Sequence, residues 1–310
     1  MTILITGASG FIGRRLLDHL RAGGIDVAGM GRSTHAAPPL AWITVPDYTL
    51  ASMLAATQGM TFDAVVHLAA AGVHPADRDP ATLVEGNALA PAAVVQLAHA
   101  RSARAVIVGG SSAEYAPSEE NVIGETAPLE STALYGATKA AGGLVSLAVA
   151  ASLGLPCAVL RFFNVFGAGE APHRLLPSLY RSLREDRPVD LSPGAQIRDF
   201  IHVDDACRAV TEALGALSSG GLPPGAYNVA TAVGHSVREF AEAVADAMGR
   251  DRSLLRFGAL PMRPDDRPMI VGDASRLRTA TGWVPSSSFR DAVIGSINEL
   301  HLLDVAKGHA

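Results

Sequence analysis

Cysteine is scarce in this chain of 310 residues, with Cys157 and Cys207 the two present. Both lie in apolar or helical-looking surroundings and neither has a metal-type spacing, so neither a disulfide framework nor a metal site is expected. Charge is scarce as well. Charged residues make up 18% of the sequence, the formal net charge is −5 and no long basic run occurs, which speaks against a nucleic-acid surface as a partner. The opening "MTILITGASG" has no basic segment and an apolar stretch too short for an export signal, so a cytoplasmic location is expected. No uninterrupted apolar run approaches the length of a bilayer span, and no membrane partner is expected. Heptads, internal repeats and low-complexity tails are also missing.

What is present suits a large core. Hydrophobic residues form 48% of the chain, with 31 glycines and 19 prolines to supply turns, a globular composition long enough for two unequal lobes. Ile3 to Thr6 reads as a short buried strand meeting Gly7, and "GFIGRRLLDHLRAGG" carries apolar residues at helical spacing up to Gly23 and Gly24. Further strands are predicted at "DVAGMGR", "AWITVPD", "FDAVVHLAA" and "ARAVIVGGSS", and "CAVLRFFNVFG" reads as a sixth strand running into a loop. Strands alternating with helical patterns predict a Rossmann-type α/β fold, a doubly wound parallel sheet covered on both faces. After about Gly167 the alternation lapses. The expected organisation is a dinucleotide-binding domain over 1–165 and a smaller α/β substrate-binding lobe over 166–310, with some segments returning to the first.

"TGASGFIG" sets Gly7, Gly10 and Gly13 three apart, after the first strand and at the opening of its helix. There Gly7, Gly10, Phe11, Ile12 and Gly13 would bring backbone N–H groups to a pyrophosphate. An acid at the end of the second strand would accept bonds from a free ribose 2′-hydroxyl, whereas an arginine would accommodate a 2′-phosphate. The segment "AGMGRST" has no acid there and offers Arg32 and Ser33, so NADP(H) is favoured, with NAD(H) as the alternative.

The fifth strand ends in "GGSSAEY", which puts Ser111 and Ser112 at the carboxyl edge of the sheet, where such sheets bind ligands. Tyr135 and Lys139 in "LYGATK" are four apart and share one face of a helix. A free phenol titrates near ~10 and is a poor acid or base at neutral pH; a nearby ammonium stabilises phenolate. With Ser111 holding a carbonyl oxygen, this set suits hydride exchange between nicotinamide and a C–OH/C=O carbon. An ordinary surface pair is the plain alternative for a bare Y-x-x-x-K, and the glycine turn with the strand-end serine weighs against it.

The motifs "TGASGFIG", "HLAAAG", "GGSSAEY", "YGATK", "RFFNVFG", "RDFIHVDD" and the "MRPDD" loop occur in the order that resembles the extended short-chain dehydrogenase/reductases, in the group of nucleotide-sugar epimerases, dehydratases and 4-ketoreductases. That resemblance implies catalytic roles for Ser111, Tyr135 and Lys139, with Lys139 also holding ribose hydroxyls. It implies cofactor contacts at Asp47, Leu68, Ala69, Ala70, Asn87 and Phe162, and substrate contacts at Ser111, Ser112, Asn164, Arg198 and Arg263, the arginines suited to a diphosphate. His67 and His202 are expected to be structural, and His74 to be a solvated loop residue. Dehydratases of this group carry an acidic pair directly after the serine or threonine. Ser112 and Ala113 stand there, which disfavours dehydration, and Glu114, expected on the other side of an extended segment, is not counted as that acid.

The expected activity is therefore reduction of a 4-keto-6-deoxy sugar linked to a nucleoside diphosphate, with Tyr135 as proton donor. A 4-epimerase using the same three residues is the nearest rival, and a non-catalytic NADPH-binding redox sensor is a reading of another class. The small apolar helices around Pro91 to His99 and Tyr135 to Ala151 imply, by the resemblance, a homodimer; packing within one subunit is the alternative, and would offset the poor helix propensity of Gly142 and Gly143.

Overall fold

The structure is a computed structural model describing residues 1–33, 41–74, 77–118, 120, 122–263 and 266–308. Its first half alternates as the sequence predicts: β1 (Thr2–Thr6), α1 (Phe11–Ala22), β2 (Asp26–Gly31), β3 (Ala41–Thr44), α2 (Leu50–Ala56), β4 (Ala64–His67), α3 (Pro80–Ala100), β5 (Val106–Ser111), α4 (Leu134–Leu153) and β6 (Cys157–Phe162). There follow β7 (Asn164–Phe166), α5 (Leu175–Arg184), β8 (Val189–Leu191), β9 (Ile197–Arg198), β10 (Phe200–His202), α6 (Val203–Ser218) and β11 (Gly225–Val229). One seven-stranded sheet has the order β11-β6-β5-β4-β1-β2-β3, and every pairing in it is parallel. The order reverses between β1 and β4. In a sheet of this kind the crevice at that reversal, outside the carboxyl ends of the strands, receives the ligand.

The run "CAVLRFFNVFG" is corrected in one respect. It forms two strands, because the chain turns at Phe163: β6 stays in the main sheet while β7 leaves it and pairs with β10. β11 then returns to the sheet as an edge strand beside β6.

Period-two alternation divides the core. Ile3, Ile5, Val66, Ile107 and Leu160 face α1 and α6, where they meet Leu16, Leu20, Ala206 and Val210. Leu4, Val65, Val106, Val108 and Val159 face the opposite side and pack with Val94, Val95 and Leu97 of α3 and Ala150 of α4. A third core in the second half gathers Phe166, Leu176, Leu179, Phe200, Phe240 and Val293.

Two helices are long and apolar enough to span a bilayer, although a charged residue, Glu85 or Lys139, interrupts each apolar run. By length and composition Pro80–Ala100 and Leu134–Leu153 both qualify, with mean hydropathy 1.2 and 1.3. Each buries one face in the core, on the sheet and on the other helix.

Their contact explains a glycine. A Cβ at Gly142 would lie 1.9 Å from the carbonyl oxygen of Asn87, which a π-helical turn over Val84–Leu89 pushes toward α4. Gly142→Ala is therefore expected to destabilise the fold by about 1–3 kcal/mol through overpacking, despite the better helix propensity of alanine. Urea unfolding monitored by circular dichroism measures it; an unchanged midpoint would show that the two helices separate freely.

Candidate active site

The turn after β1 is built on close backbone approach. Gly7 has φ +69°, and a Cβ there would sit 2.5 Å from the backbone nitrogen of Ala69; on Gly13 it would sit 2.2 Å from the oxygen of Gly7. No side chain caps α1, and its first turn holds no acid. The opening N–H groups of the helix, at Phe11, Ile12 and Gly13, are thus left to an anion, and the residues present fit a dinucleotide pyrophosphate.

The other residues expected to touch the cofactor lie in the loops after β2, β3 and β4, on α3 and at the end of β6. Leu68 donates its N–H to Thr6 (3.0 Å), holding the Leu68–Ala70 loop against β1. Arg32 is exposed at the end of β2 and lines a cavity of about 370 Å³ with Ala70, Ala71, Gly72, Arg78 and Leu83. Ser33 is exposed, and its carbonyl accepts from the indole N–H of Trp42 (2.9 Å). Asp47 accepts from the N–H (2.9 Å) and hydroxyl (2.7 Å) of Thr49, bonds that hold its carboxyl below the usual range. Asn87 is buried and works as a brace: its amide exchanges bonds with the backbone of Ala71 (2.9 and 3.1 Å) and reaches Thr138 (3.4 Å). Phe162, at the end of β6, lies in register with Ser111.

His67 is fully buried, with Nδ1 2.6 Å from the hydroxyl of Thr6, and burial pushes its pKa down to about 3. It remains neutral across the ordinary range, next to the positive charge of Lys139. His202 caps α6, accepting from the N–H of Asp204 (3.3 Å). His74 is exposed and stands edge-on to His173 with ring centroids 4.5 Å apart.

Ser111 and Tyr135 lie near each other, and Lys139 follows on the same helix as Tyr135. Burial pushes the phenol of Tyr135 up, and the nearby hydroxyl of Ser111 pulls it part of the way back. One helical turn on, Lys139 is buried and its ammonium donates to the carbonyl of Gly109 on β5 (2.6 Å). The ring of Tyr135 would lie 3.3 Å from a Cβ at Gly72, which places the phenol beside the cavity that Arg32 lines.

Beneath these residues is a carboxylate whose role the sequence did not disclose. Residues Ser112–Glu114 form a 3-10 turn rather than an extended segment, and Glu114 folds back into the core instead of standing on the other side of a strand. It has no exposed surface, accepts from the Ser111 N–H (2.9 Å) and receives Nε of Arg161 at 2.8 Å. Burial pushes its pKa up, while Arg161 and then Lys139 pull it down. In return Glu114 raises Lys139 against the depression that burial causes, and raises Tyr135.

The residues expected at the substrate lie on the second half and on the β5 turn. Ser112 opens that turn and is half-buried. Asn164 is half-buried at the start of β7, its N–H donating to the carbonyl of Asp199 (3.0 Å). Arg198 is almost buried and is paired with Asp266. Arg263 is exposed; Pro264 and Asp265 of its loop lie outside the described residues. Two further arginines approach the site: Arg267, which reaches Glu130 (3.1 Å), and Arg174, which pairs with Glu170 (3.3 Å) and lies within electrostatic reach of Tyr135. Burial pushes Glu170 up to about 7. Neither Arg174 nor Glu170 stood out in the sequence, where one charged loop residue resembles another.

A parallel sheet with a glycine turn, a bare helix N-terminus and a serine–tyrosine–lysine set defines a nicotinamide-dinucleotide enzyme of the Rossmann class. The chain belongs to the NAD dependent epimerase/dehydratase family, whose profile matches residues 3–230. It is 26% identical over 314 residues to a dTDP-glucose 4,6-dehydratase of Streptomyces niveus, covering 96% of this chain and 92% of that one. It is 28% identical over 319 residues to a UDP-glucose 4-epimerase of Azospirillum brasilense, covering 95% and 90%. Among solved structures, MoeE5 in complex with UDP-glucose and NAD superposes with a TM-score of 0.83 at 28% identity, over 98% of this chain and all of that one.

Glu114→Gln is expected to cost about 3–5 kcal/mol in urea unfolding, because it leaves Arg161 a buried unpaired charge. It also removes the charge that raises Tyr135, so phenolate formation at this residue moves to lower pH. Ultraviolet difference titration against Tyr135→Phe reads that shift, and a shift upward would refute the electrostatic account.

Proposed function

We propose that this protein oxidises or reduces C4 of a sugar carried on a nucleoside diphosphate, and that the net reaction is reduction of a 4-keto-6-deoxy sugar with NADP(H). The observation that carries the reading is the Ser111 hydroxyl close enough to the phenol of Tyr135 to draw its pKa down, beside the cavity that Arg32 lines, with Lys139 buried one turn away. The nicotinamide, when bound, supplies or accepts the hydride. Ser111 holds the sugar oxygen, Tyr135 gives it a proton from the phenol, and Lys139 stabilises the phenolate left behind. Arg198 and Arg263 are assigned to the diphosphate, Arg198 exchanging Asp266 for it.

Elimination of water is disfavoured by the same turn. Ser112 and Ala113 carry no carboxyl, and Glu114 is held by Arg161 and the Ser111 backbone, away from any substrate. Reduction is favoured over epimerisation by the end of β2, where Arg32 replaces an acid and suits a 2′-phosphate. The second reading, a 4-epimerase, has its support in the UDP-glucose 4-epimerase relative and in the NAD carried by the similar structure.

Purified protein is expected to release no NAD on denaturation and to oxidise added NADPH when given a nucleoside-diphosphate 4-keto-6-deoxy sugar. Stoichiometric bound NAD, with interconversion of two UDP-sugars and no net cofactor change, would establish the epimerase instead. Tyr135→Phe should lower kcat by about 10²–10⁴-fold and leave cofactor binding intact; full turnover in that variant would remove the phenol from the chemistry.

We also propose that the protein pairs through α3 and α4, where Leu89, Leu144 and Val145 stand exposed, with a second copy covering them. Light scattering should give twice the 32.0 kDa chain mass, and Leu144→Asp with Val145→Asp should give the monomer; a monomeric native protein would overturn this.

A further inference from the structure

β2 carries two glycines, Gly29 and Gly31, that face the same side because they are two apart on a strand. A Cβ on Gly29 would come within 3.2 Å of the Cβ of Ala8, in the turn built on Gly7, so this is the face on which the dinucleotide turn lies. Both glycines are explained by one side chain. A Cβ at position 29 would be 2.5 Å from Cε3 of Trp42, and one at position 31 would be 2.6 Å from its Cζ2. The indole therefore lies along the two glycines, and its N–H ties it to the carbonyl of Ser33 (2.9 Å). β3 supplies Trp42 from directly beside β2, in register with Gly29.

Position 31 is the last residue of β2, the place from which an acidic side chain reads a ribose 2′-hydroxyl. We propose that Trp42 is a cofactor-selectivity residue: its indole fills the volume that a carboxylate at position 31 would need, and so leaves the ribose to be read by Arg32 and Ser33. A substitution at position 31 has ring carbon of an anchored side chain in its way, which a flexible neighbour would not present. Arg32 follows directly and lines the cavity that also reaches Ala70 and Gly72. The inference rests on the proposed use of a 2′-phosphorylated cofactor, but the steric exclusion can be tested apart from it.

The test is a double-mutant cycle read by calorimetric titration with NADP+ and NAD+. Gly31→Asp alone is expected to weaken both ligands by about tenfold or more, since the new side chain and the indole compete for one space. Gly31→Asp with Trp42→Ala is expected to bind NAD+ about tenfold or more tighter than Gly31→Asp does, and to prefer it over NADP+. If Gly31→Asp alone binds NAD+ as well as the double variant, the indole excludes nothing and the proposal fails. A second measurement stands if Gly31→Asp does not fold. Trp283, the other tryptophan, is 2% exposed and lies against α6, so NADP+ should quench native emission, and Trp42→Phe should abolish the quenching. Emission that ignores saturating cofactor would place the indole away from the ribose and overturn the proposal. Failure of the NADP(H) reading looks different: a native protein preferring NAD+ whose cycle still shows the rescue keeps Trp42 as the obstruction and removes Arg32 as the reader.

Discussion

The candidate site depends on one buried carboxylate. Glu114 reaches back under the end of β5, takes the N–H of Ser111 on one oxygen and the guanidinium of Arg161 on the other, and lends its charge to Lys139 and Tyr135. Burying such a pair contributes little net stability, since the desolvation of two ions offsets most of their attraction. Its contribution is positional. A serine at the edge of a sheet has free rotation and a free backbone; one whose N–H is fixed by Glu114, and whose Oγ accepts from Ala113 N–H (3.1 Å), has neither. The network goes on through Arg161 to the hydroxyl of Tyr115 (3.0 Å) and from there to Asn228 on β11 (2.5 Å). A strand far along the chain is thereby coupled to the turn that carries the serine.

Close approach is the second constraint, and it is solved with small residues wherever two elements must touch. Gly7 lets the first turn meet the Ala69 backbone, Gly142 lets α4 meet α3, and Gly110 leaves room for Glu114, whose Oε1 would be 2.6 Å from a Cβ there. These contacts hold the pieces of the cleft at fixed spacing, since a packed interior has no slack to absorb an added methyl. The polar pairs then decide chemistry within a frame that the glycines set.

Local patterns were legible in the sequence. The strand Ile3 to Thr6, the glycines at 7, 10 and 13, the serine at a strand end and the tyrosine four before a lysine each involve neighbours that one element brings together. The parallel sheet followed, because alternation of strand and helix permits few topologies. What escaped depends on contacts between distant positions. Glu114 and Arg161 are 47 residues apart and read as ordinary charges until β5 and β6 lie side by side. The brace that Asn87 makes with the Ala71 backbone joins positions 16 residues apart and has no local signature. Gly29 and Gly31 lie within the predicted strand "DVAGMGR", and the indole that requires them comes from the next strand. Of α3 only the part around Pro91 to His99 was legible, because Glu85, Gly86 and Asn87 break the apolar pattern of its first half.

The distribution of cations follows the same physics. Of the 25 lysine and arginine residues, Lys139 and Lys307 are the lysines. Arginine serves at Arg15, Arg161 and Arg198, where a fork must meet a carboxylate and the charge has to persist; its guanidinium stays protonated in all of these settings. Position 139 asks for something else. The slot between β5 and α4 admits a slender stem and one compact head that donates to Gly109, and its charge is drawn down by burial and restored by Glu114. An ammonium can be tuned in this way and a guanidinium cannot. The lysine therefore stands one helical turn from the tyrosine with a charge that can be adjusted, and the carboxylate beneath it sets how far.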